Sequence, residues 1–495
     1  MKLLLLIPSL LVASMALGQK TPDAPTTVKP DELVVTKHSI NFHGSPMAYT
    51  ATTGTLPIRN DDGDIEGQLF FVAYTKDDAD PTTRPVTFAY NGGPGSSSMW
   101  LHMGCLGPRR VVLNDDGSMP APPFKITDNE ETWLNKTDVV MVDAMGTGYS
   151  RLLKSEQSKK YYSMRGDIAA FGEFIRSYLA KNKRFSSPIF LAGESYGGIR
   201  TAGLSGYLLD RGIALNGAVI ISGVMNFGTL DSGRGNDVPY ISFLPTMAAT
   251  AWYHHKLGKK YSTVEAVVAD ANKFADGEYT DALMHGGSMS SAETKAVAKK
   301  MASLTGMSEQ FILNNHLRVS EFRFFKELLR DEGKTVGRLD ARFEGQDATE
   351  AGDGPEYDPS EAAVTPVFGS MVNDYLEREL NYARDDRYRM NNYAGTGGWD
   401  YGIRSGYPDT SDDLRQALIQ NPHMKLMFVC GYYDLACPFG GTHYTVNHMD
   451  LQPAQLDRIS WGYYPAGHML YIDKPSREKL HKDIDAFYDS ALSGK

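Results

Sequence analysis

The segment Gly193-Glu194-Ser195-Tyr196-Gly197 places a serine between glycines. A short apolar run, Pro188-Ile189-Phe190-Leu191, precedes it, and a helix-compatible stretch through Arg200 and Leu209 follows. This is the pattern of a nucleophile elbow, in which a strand turns abruptly into a helix. Side chains at the flanking positions would collide across the turn, and the serine is pushed out as an exposed nucleophile. The same five residues also arise by chance in a long, glycine-rich chain. The reading therefore depends on an accompanying base, an orienting carboxylate and oxyanion donors.

Each is present, in a fitting chain order. Asp434 stands in Gly431-Tyr432-Tyr433-Asp434, beyond the apolar run Leu426-Met427-Phe428-Val429. His468 stands in Pro465-Ala466-Gly467-His468-Met469, between the final strand-like run and the final helix-like one. Serine, then acid, then histidine is the order found where a nucleophile elbow sits on an α/β sheet. Among the 12 histidines, His102, His254, His255, His443 and His448 are the structural alternatives. Only His468 combines a late position, a glycine-bounded loop and a strand-to-helix setting. For Asp434 the competing reading is a plain turn-former. Oxyanion donors are expected from Tyr90-Asn91-Gly92-Gly93-Pro94-Gly95-Ser96-Ser97-Ser98, whose glycines let backbone N–H groups point at a developing negative charge. The amides of Gly93 and Tyr196 form the predicted hole. A phosphate-cradling loop is the rival, but the G-K-[ST] ending is missing.

Positioning these residues requires a sheet with ligand-facing loops at its strand ends. Ser39 to Phe42, Met47 to Thr52, Gly67 to Tyr74 and Val86 to Tyr90 read as antiparallel strands leading into a sheet. From Asp138 onward, buried-strand runs (Val139 to Val142, Ile189 to Leu191, Ala218 to Ile221) alternate with helical stretches such as Ile168 to Leu179. Between about Asn236 and Asp400 the strand signal disappears. Charged helical stretches, Ser291 to Ser303 and Glu309 to Asp331, take over, separated by loops such as Asp347 to Asp358. Strands return at Leu426 to Val429 and Ile459 to Tyr463, and a helix from Ser476 to Leu492 closes the chain with Leu480, Ile484, Phe487 and Ala491 on one face. The expectation is an α/β-hydrolase fold: a mixed, mostly parallel central sheet with its core at 33–235 and 401–495, interrupted by a mainly helical cap at 236–400.

Met1-Lys2 leads into Leu3-Leu4-Leu5-Leu6-Ile7, and Ala16-Leu17-Gly18 supplies small residues at the cleavage positions, so 1–18 reads as a secretory signal peptide and 19–32 as a flexible lead-in. An exported protein without a membrane anchor is expected. The formal net charge of -10 is spread along the chain, which argues against nucleic acid as partner. Cys105, Cys430 and Cys437 are too few for a disulfide framework and match no zinc spacing, and H-E-x-x-H does not occur. No metal or cofactor is expected.

The motifs N-G-G-P-G-x-S-S at Asn91 to Ser98, G-E-S-Y-G-G at Gly193 to Gly198, G-x-x-D-x-x-C from Gly431 to Cys437 and A-G-H-M at Ala466 to Met469 together resemble the serine carboxypeptidase family. Thr132-Trp133-Leu134-Asn135, Val142-Asp143, Gly148-Tyr149-Ser150 and Asp167 to Phe174 follow its order and spacing. The resemblance runs from about Val86 to Pro475; the cap resembles nothing as closely. It implies Ser195, Asp434 and His468 as a triad and Gly93 and Tyr196 as oxyanion donors. It also implies that Asn91 and Glu194 hydrogen-bond the free carboxylate of a peptide substrate, with Met469 and Cys437 near the triad. Five positions depart from the family pattern. Cys105 stands where a second glutamate normally shares carboxylate recognition, and Ser96 where a disulfide cysteine is usual. Ala89 replaces a common tryptophan, and Leu470-Tyr471 replaces the customary Val-Pro. An esterase or acyltransferase on the same scaffold, and a catalytically silent binding homologue, are the alternatives to a carboxypeptidase.

Overall fold

The computed structural model describes residues 33–392, 398–403 and 405–493. The signal peptide and lead-in expected at 1–32 lie outside the described residues. A 10-stranded sheet forms the centre. Its main strands are β1 (Leu33–Phe42), β2 (Ser45–Arg59), β3 (Ile65–Lys76), β4 (Val86–Tyr90), β5 (Asp138–Val142), β6 (Ile189–Glu194), β7 (Gly217–Ile221), β8 (Lys425–Gly431) and β9 (Ile459–Tyr464), with Arg151–Leu152 pairing to β3. The spatial order is β1-β2-β3-β5-β4-β6-β7-β8-β9. The first three strands form an antiparallel meander, and β3 pairs antiparallel with β5. From β5 to β9 every pairing is parallel.

The central strands read as unbroken apolar runs because helices cover both faces of a parallel sheet. Alternate residues serve two separate cores. Val86, Phe88, Leu191, Ile220 and Phe428 belong to one, whereas Ala89, Phe190, Val219 and Val429 belong to the other. The first core is closed by α1 (Met164–Lys181) and α2 (Gly197–Leu209), the second partly by α3 (Pro359–Arg378) and α4 (Lys474–Leu492). On α4 the expected face is realised, with Leu480, Ile484 and Phe487 buried and Ala491 packed against the same core.

Two expectations are corrected. The sequence pattern predicts Val86–Tyr90 as antiparallel, yet it pairs in parallel with β5 and β6. All five of its residues are buried, as befits a strand in the middle of a two-sided sheet. The helix expected from Glu309 to Asp331 is broken into Glu309–Asn314, Glu321–Glu327 and a short turn at Arg330–Glu332. His316 and Leu317 adopt left-handed φ values of 53° and 66°, and the Ser320 hydroxyl caps the second segment by accepting from the Arg323 amide. Asparagine-rich Asn314-Asn315 and a serine N-cap outweigh the helical periodicity around them. Elsewhere between β7 and β8 the chain is largely helical, including Val238–Tyr253 and Ser291–Thr305.

One buried ion pair links the elements around the elbow. Arg200, on α2 and wholly buried, donates from Nε to Asp167 Oδ2 of α1 at 2.8 Å and from Nη1 to the Asn91 carbonyl at 2.6 Å. Its guanidinium lies 4.3 Å from the Phe171 ring centroid. Burial raises the Asp167 pKa against the pull of Arg200. Replacing Asp167 by alanine strands a buried cation and is expected to cost about 3–5 kcal/mol in urea unfolding. The double change Asp167→Leu with Arg200→Met should cost much less. Equal losses in the two proteins would contradict this account.

Candidate active site

The elbow is built at the carboxyl end of β6. Ser195 has φ 64°, a left-handed conformation that non-glycine residues adopt only when the surroundings enforce it. The Ser195 amide donates to the Ile221 carbonyl at 3.1 Å, and the Ser195 carbonyl accepts from the amides of Gly198 at 2.8 Å and Val224 at 3.2 Å. A Cβ at Gly193 would collide with the Thr201 hydroxyl, and one at Gly198 with the Val224 carbonyl. A Cβ at Gly197 would meet only a tight 3.2 Å contact with the Tyr90 carbonyl. The crowding that demands glycine thus falls on Gly193 and Gly198 more than on Gly197.

Asp434 follows β8 and His468 follows β9, so both partners approach from neighbouring parallel strand ends. His468 Nδ1 lies 2.8 Å from Asp434 Oδ2, while Oδ1 accepts from the amides of Ala436 at 2.8 Å and Cys437 at 2.9 Å. Asp434 is wholly buried and bonds both the amides of its own turn and the His468 ring. With Nδ1 donating, the lone pair of His468 is on Nε2. Burial lowers the His468 pKa, but the Asp434 charge and hydrogen bond, with the Glu194 charge, outweigh it and raise the value above the usual one. The half-buried Ser195 presents its hydroxyl to the Cys437 thiol.

The loop after β4 is pressed onto the elbow. A Cβ at Gly92 would collide with the Tyr196 amide nitrogen, and Gly93 has φ 109°. The Gly92 backbone thereby lies directly against the Tyr196 amide. The loop is held from behind: the Ser98 amide donates to Asp143 Oδ1 at 2.7 Å, and Tyr388 donates to Oδ2 at 2.9 Å. Burial raises the Asp143 pKa to about 6.

Asn91 and Glu194 form a buried pair, with Nδ2 donating to Oε1 at 2.7 Å. Burial raises the Glu194 pKa to about 7, opposed by His468, Tyr471 and Asn91 and assisted by Asp434. Cys105, Cys430 and Cys437 are all free and buried, so Cys105 and Cys437 are not joined by a disulfide. Four of the five rival histidines have structural partners. His102 is buried against the Tyr74 hydroxyl at 2.5 Å, with its pKa lowered to about 3 by burial. His254 Nε2 contacts the Ala341 carbonyl at 2.7 Å, and His448 Nδ1 contacts the Tyr444 carbonyl at 2.7 Å. His443 bonds the Tyr463 hydroxyl. Among the described residues no group of three His, Cys, Asp or Glu side chains could hold a metal. None of their helices is long and apolar enough to cross a membrane.

Sequence reasoning missed a clamp from the segment between β7 and β8. A small hairpin, Thr335–Val336 with Glu344–Gly345, carries a loop against both partner loops. The His468 amide donates to the Leu339 carbonyl at 2.6 Å, the Gly467 amide to Asp340 Oδ2 at 3.0 Å, and the Ala341 amide to the Tyr433 carbonyl at 3.0 Å. Arg342 Nη1 reaches the Pro465 carbonyl at 3.1 Å and Asp473 at 2.9 Å, and Nη2 reaches Asp340 at 2.7 Å. The only signal was the closely spaced pair Asp340 and Arg342, which in sequence looks like any solvated charge pair.

Comparison with known proteins places this geometry in context. The family profile described as Serine carboxypeptidase matches residues 46–471. Serine carboxypeptidase-like 9 of Arabidopsis thaliana is 27% identical over 170 residues, covering 33% of this chain and 36% of that protein. Pheromone-processing carboxypeptidase KEX1 of Saccharomyces cerevisiae is 32% identical over 157 residues, covering 29% of this chain and 20% of its own length. The aligned stretches therefore span about a third or less of these relatives. The crystal structure of KEX1(delta)p, a prohormone-processing carboxypeptidase from Saccharomyces cerevisiae, superposes with a TM-score of 0.56 at 17% identity, over 88% of this chain and 91% of that one, which shows a shared fold.

Two substitutions test the arrangement. Asp434→Asn, which cannot hold the Nδ1–H tautomer, is expected to lower turnover of an activated ester by about 10⁴-fold. Asp340→Ala frees the histidine loop without touching reacting atoms. It should lower the same turnover by about 10- to 100-fold while active-site labelling still reaches completion.

Proposed function

The chain belongs to the serine carboxypeptidase family, and from that premise we propose that it removes C-terminal residues from peptides through an acyl-enzyme on Ser195. Ser195 Oγ attacks the scissile carbonyl carbon as His468 Nε2 takes its proton. The tetrahedral oxyanion accepts from the amides of Gly93 and Tyr196. His468 then returns the proton to the departing amine of the released residue. Water, activated by the same nitrogen, attacks the ester and frees Ser195. Asp434 keeps Nδ1 protonated and stabilises the imidazolium. The signal-like segment Met1 to Gly18 supports export as the setting of this activity.

The observation that carries the peptide-terminus reading is the buried Asn91–Glu194 pair beside the triad. A carboxyl that retains its proton up to about pH 7 is a donor, and with the Asn91 amide it suits a substrate carboxylate, which accepts only. An esterase or acyltransferase is the second reading, favoured by one residue. Cys105 supplies a thiol rather than a second acid in the vicinity of Glu194, which narrows the carboxylate-binding apparatus.

An N-blocked dipeptide compared with its C-terminal amide separates the two: strong preference for the free acid is expected, and indifference favours the esterase. A serine-directed phosphonate should label Ser195, and a protein left unlabelled would be a binding homologue. The pH dependence has a defined sign. Only protonated Glu194 can donate to the substrate, and above its pKa of about 7 that fraction falls tenfold per pH unit. Peptide KM should therefore climb above pH 7, while the KM of an ester lacking a free carboxylate stays level. Superimposable KM profiles for the two substrates would refute the role of Glu194.

A further inference from the structure

Two buried oxygens beside the triad make no well-formed hydrogen bond, Oε2 of Glu194 and the phenolic oxygen of Tyr471, although the Tyr471 hydroxyl lies close enough to Glu194 and to Asn91 to interact with both. An unpartnered buried polar group costs about 1–3 kcal/mol, so two in mutual contact call for an account. Tyr471 is wholly buried in the turn Leu470–Ile472, which directly continues the His468 loop. Its carbonyl accepts from Arg477 Nη1 at 3.2 Å. Its ring lies on Gly104, where an added Cβ would come 2.5 Å from a ring carbon and 3.2 Å from the Phe368 ring. Packing therefore delivers the hydroxyl to Glu194. Asn91 already occupies Oε1 at 2.7 Å, which leaves Oε2 open to one further donor.

The remaining neighbours of Glu194 cannot fill that role. His468 and Asp434 act on it through charge, and His468 is committed to Asp434 through Nδ1. The Cys105 and Cys437 thiols, which also feel Glu194, are held protonated by burial and are weak donors.

We propose that Tyr471 is the positioning residue for Glu194: a small closing movement lets its hydroxyl donate to Oε2 of the ionised carboxylate in the free protein, setting the pH above which the terminal-carboxylate site is lost. This rests on the carboxypeptidase reading. A bond to the ionised form stabilises it, so the tyrosine holds Glu194 lower than burial alone would. It also joins carboxylate recognition to the turn that carries the base.

The test is Tyr471→Phe, which keeps the ring on Gly104. KM is measured against pH for the N-blocked dipeptide and, on the same protein, for an ester without a free carboxylate. The alkaline rise in peptide KM should move up by about one pH unit, and the ester profile should not follow. 3-Fluorotyrosine at position 471, a stronger donor of nearly equal size, should move the rise downward. Shifts of opposite sign in the two proteins support the assignment. An unmoved rise, or equal changes for peptide and ester, overturns it and leaves Tyr471 a packing residue. Wild-type protein that fails to distinguish dipeptide from amide instead removes the carboxypeptidase reading, and is recognised before either variant is made.

Discussion

The left-handed turn at Ser195 is the constraint around which the rest is arranged. A non-glycine residue at φ 64° costs about 1–3 kcal/mol and persists only when its surroundings hold it. Here β7 takes its amide, and the start of α2 with the segment after β7 takes its carbonyl. That tight seating leaves no room for side chains at Gly193 or Gly198. It also allows the Gly92 backbone to lie against the Tyr196 amide, so the loop after β4 and the elbow share one close approach. Arg200 secures the arrangement from beneath, bonding the Asn91 carbonyl from the helix that the elbow begins.

Charge in the site is organised around Glu194 and His468. Each shifts the other: an ionised Glu194 favours the imidazolium, and an imidazolium favours ionised Glu194. The proposed reaction on a carboxylate-terminated substrate would need the opposite distribution of the same proton, on Glu194 and off His468. Asn91 and Tyr471 on one side and Asp434 on the other bias where that proton resides. In that proposal recognition and base strength are one electrostatic problem, because the charges of Glu194 and His468 act on each other.

The hairpin loop at Leu339 to Arg342 shows how a segment far from the elbow takes part. It binds the backbone of the histidine loop at Gly467 and His468 and the acid loop at Tyr433, bracing two strand-end loops against each other. Its own charges are spent internally, Arg342 on Asp340 and Asp473. A precise imidazole position therefore depends on a segment that supplies no reacting atom.

Much of the candidate site was legible from contiguous residues. The glycine-flanked Ser195, the Asn91 to Ser98 loop, and Asp434 and His468 just past apolar runs all reflect local demands: turn sterics and buried-strand composition act over a few neighbouring residues and leave a mark there. The same locality explains the errors. Val86–Tyr90 has the composition of any buried strand, and its direction is set by β5 and β6. The Glu309 to Asp331 periodicity could not register the left-handed break at His316 and Leu317. Tertiary structure alone decided that Asp340 would clamp Gly467, that Arg200 would pair with Asp167 beneath Asn91, and that Tyr471 would face Glu194. These are ordinary residue types, widely separated along the chain. Their partnership exists only once the sheet has brought its strand ends together and burial has removed the water that would otherwise satisfy them.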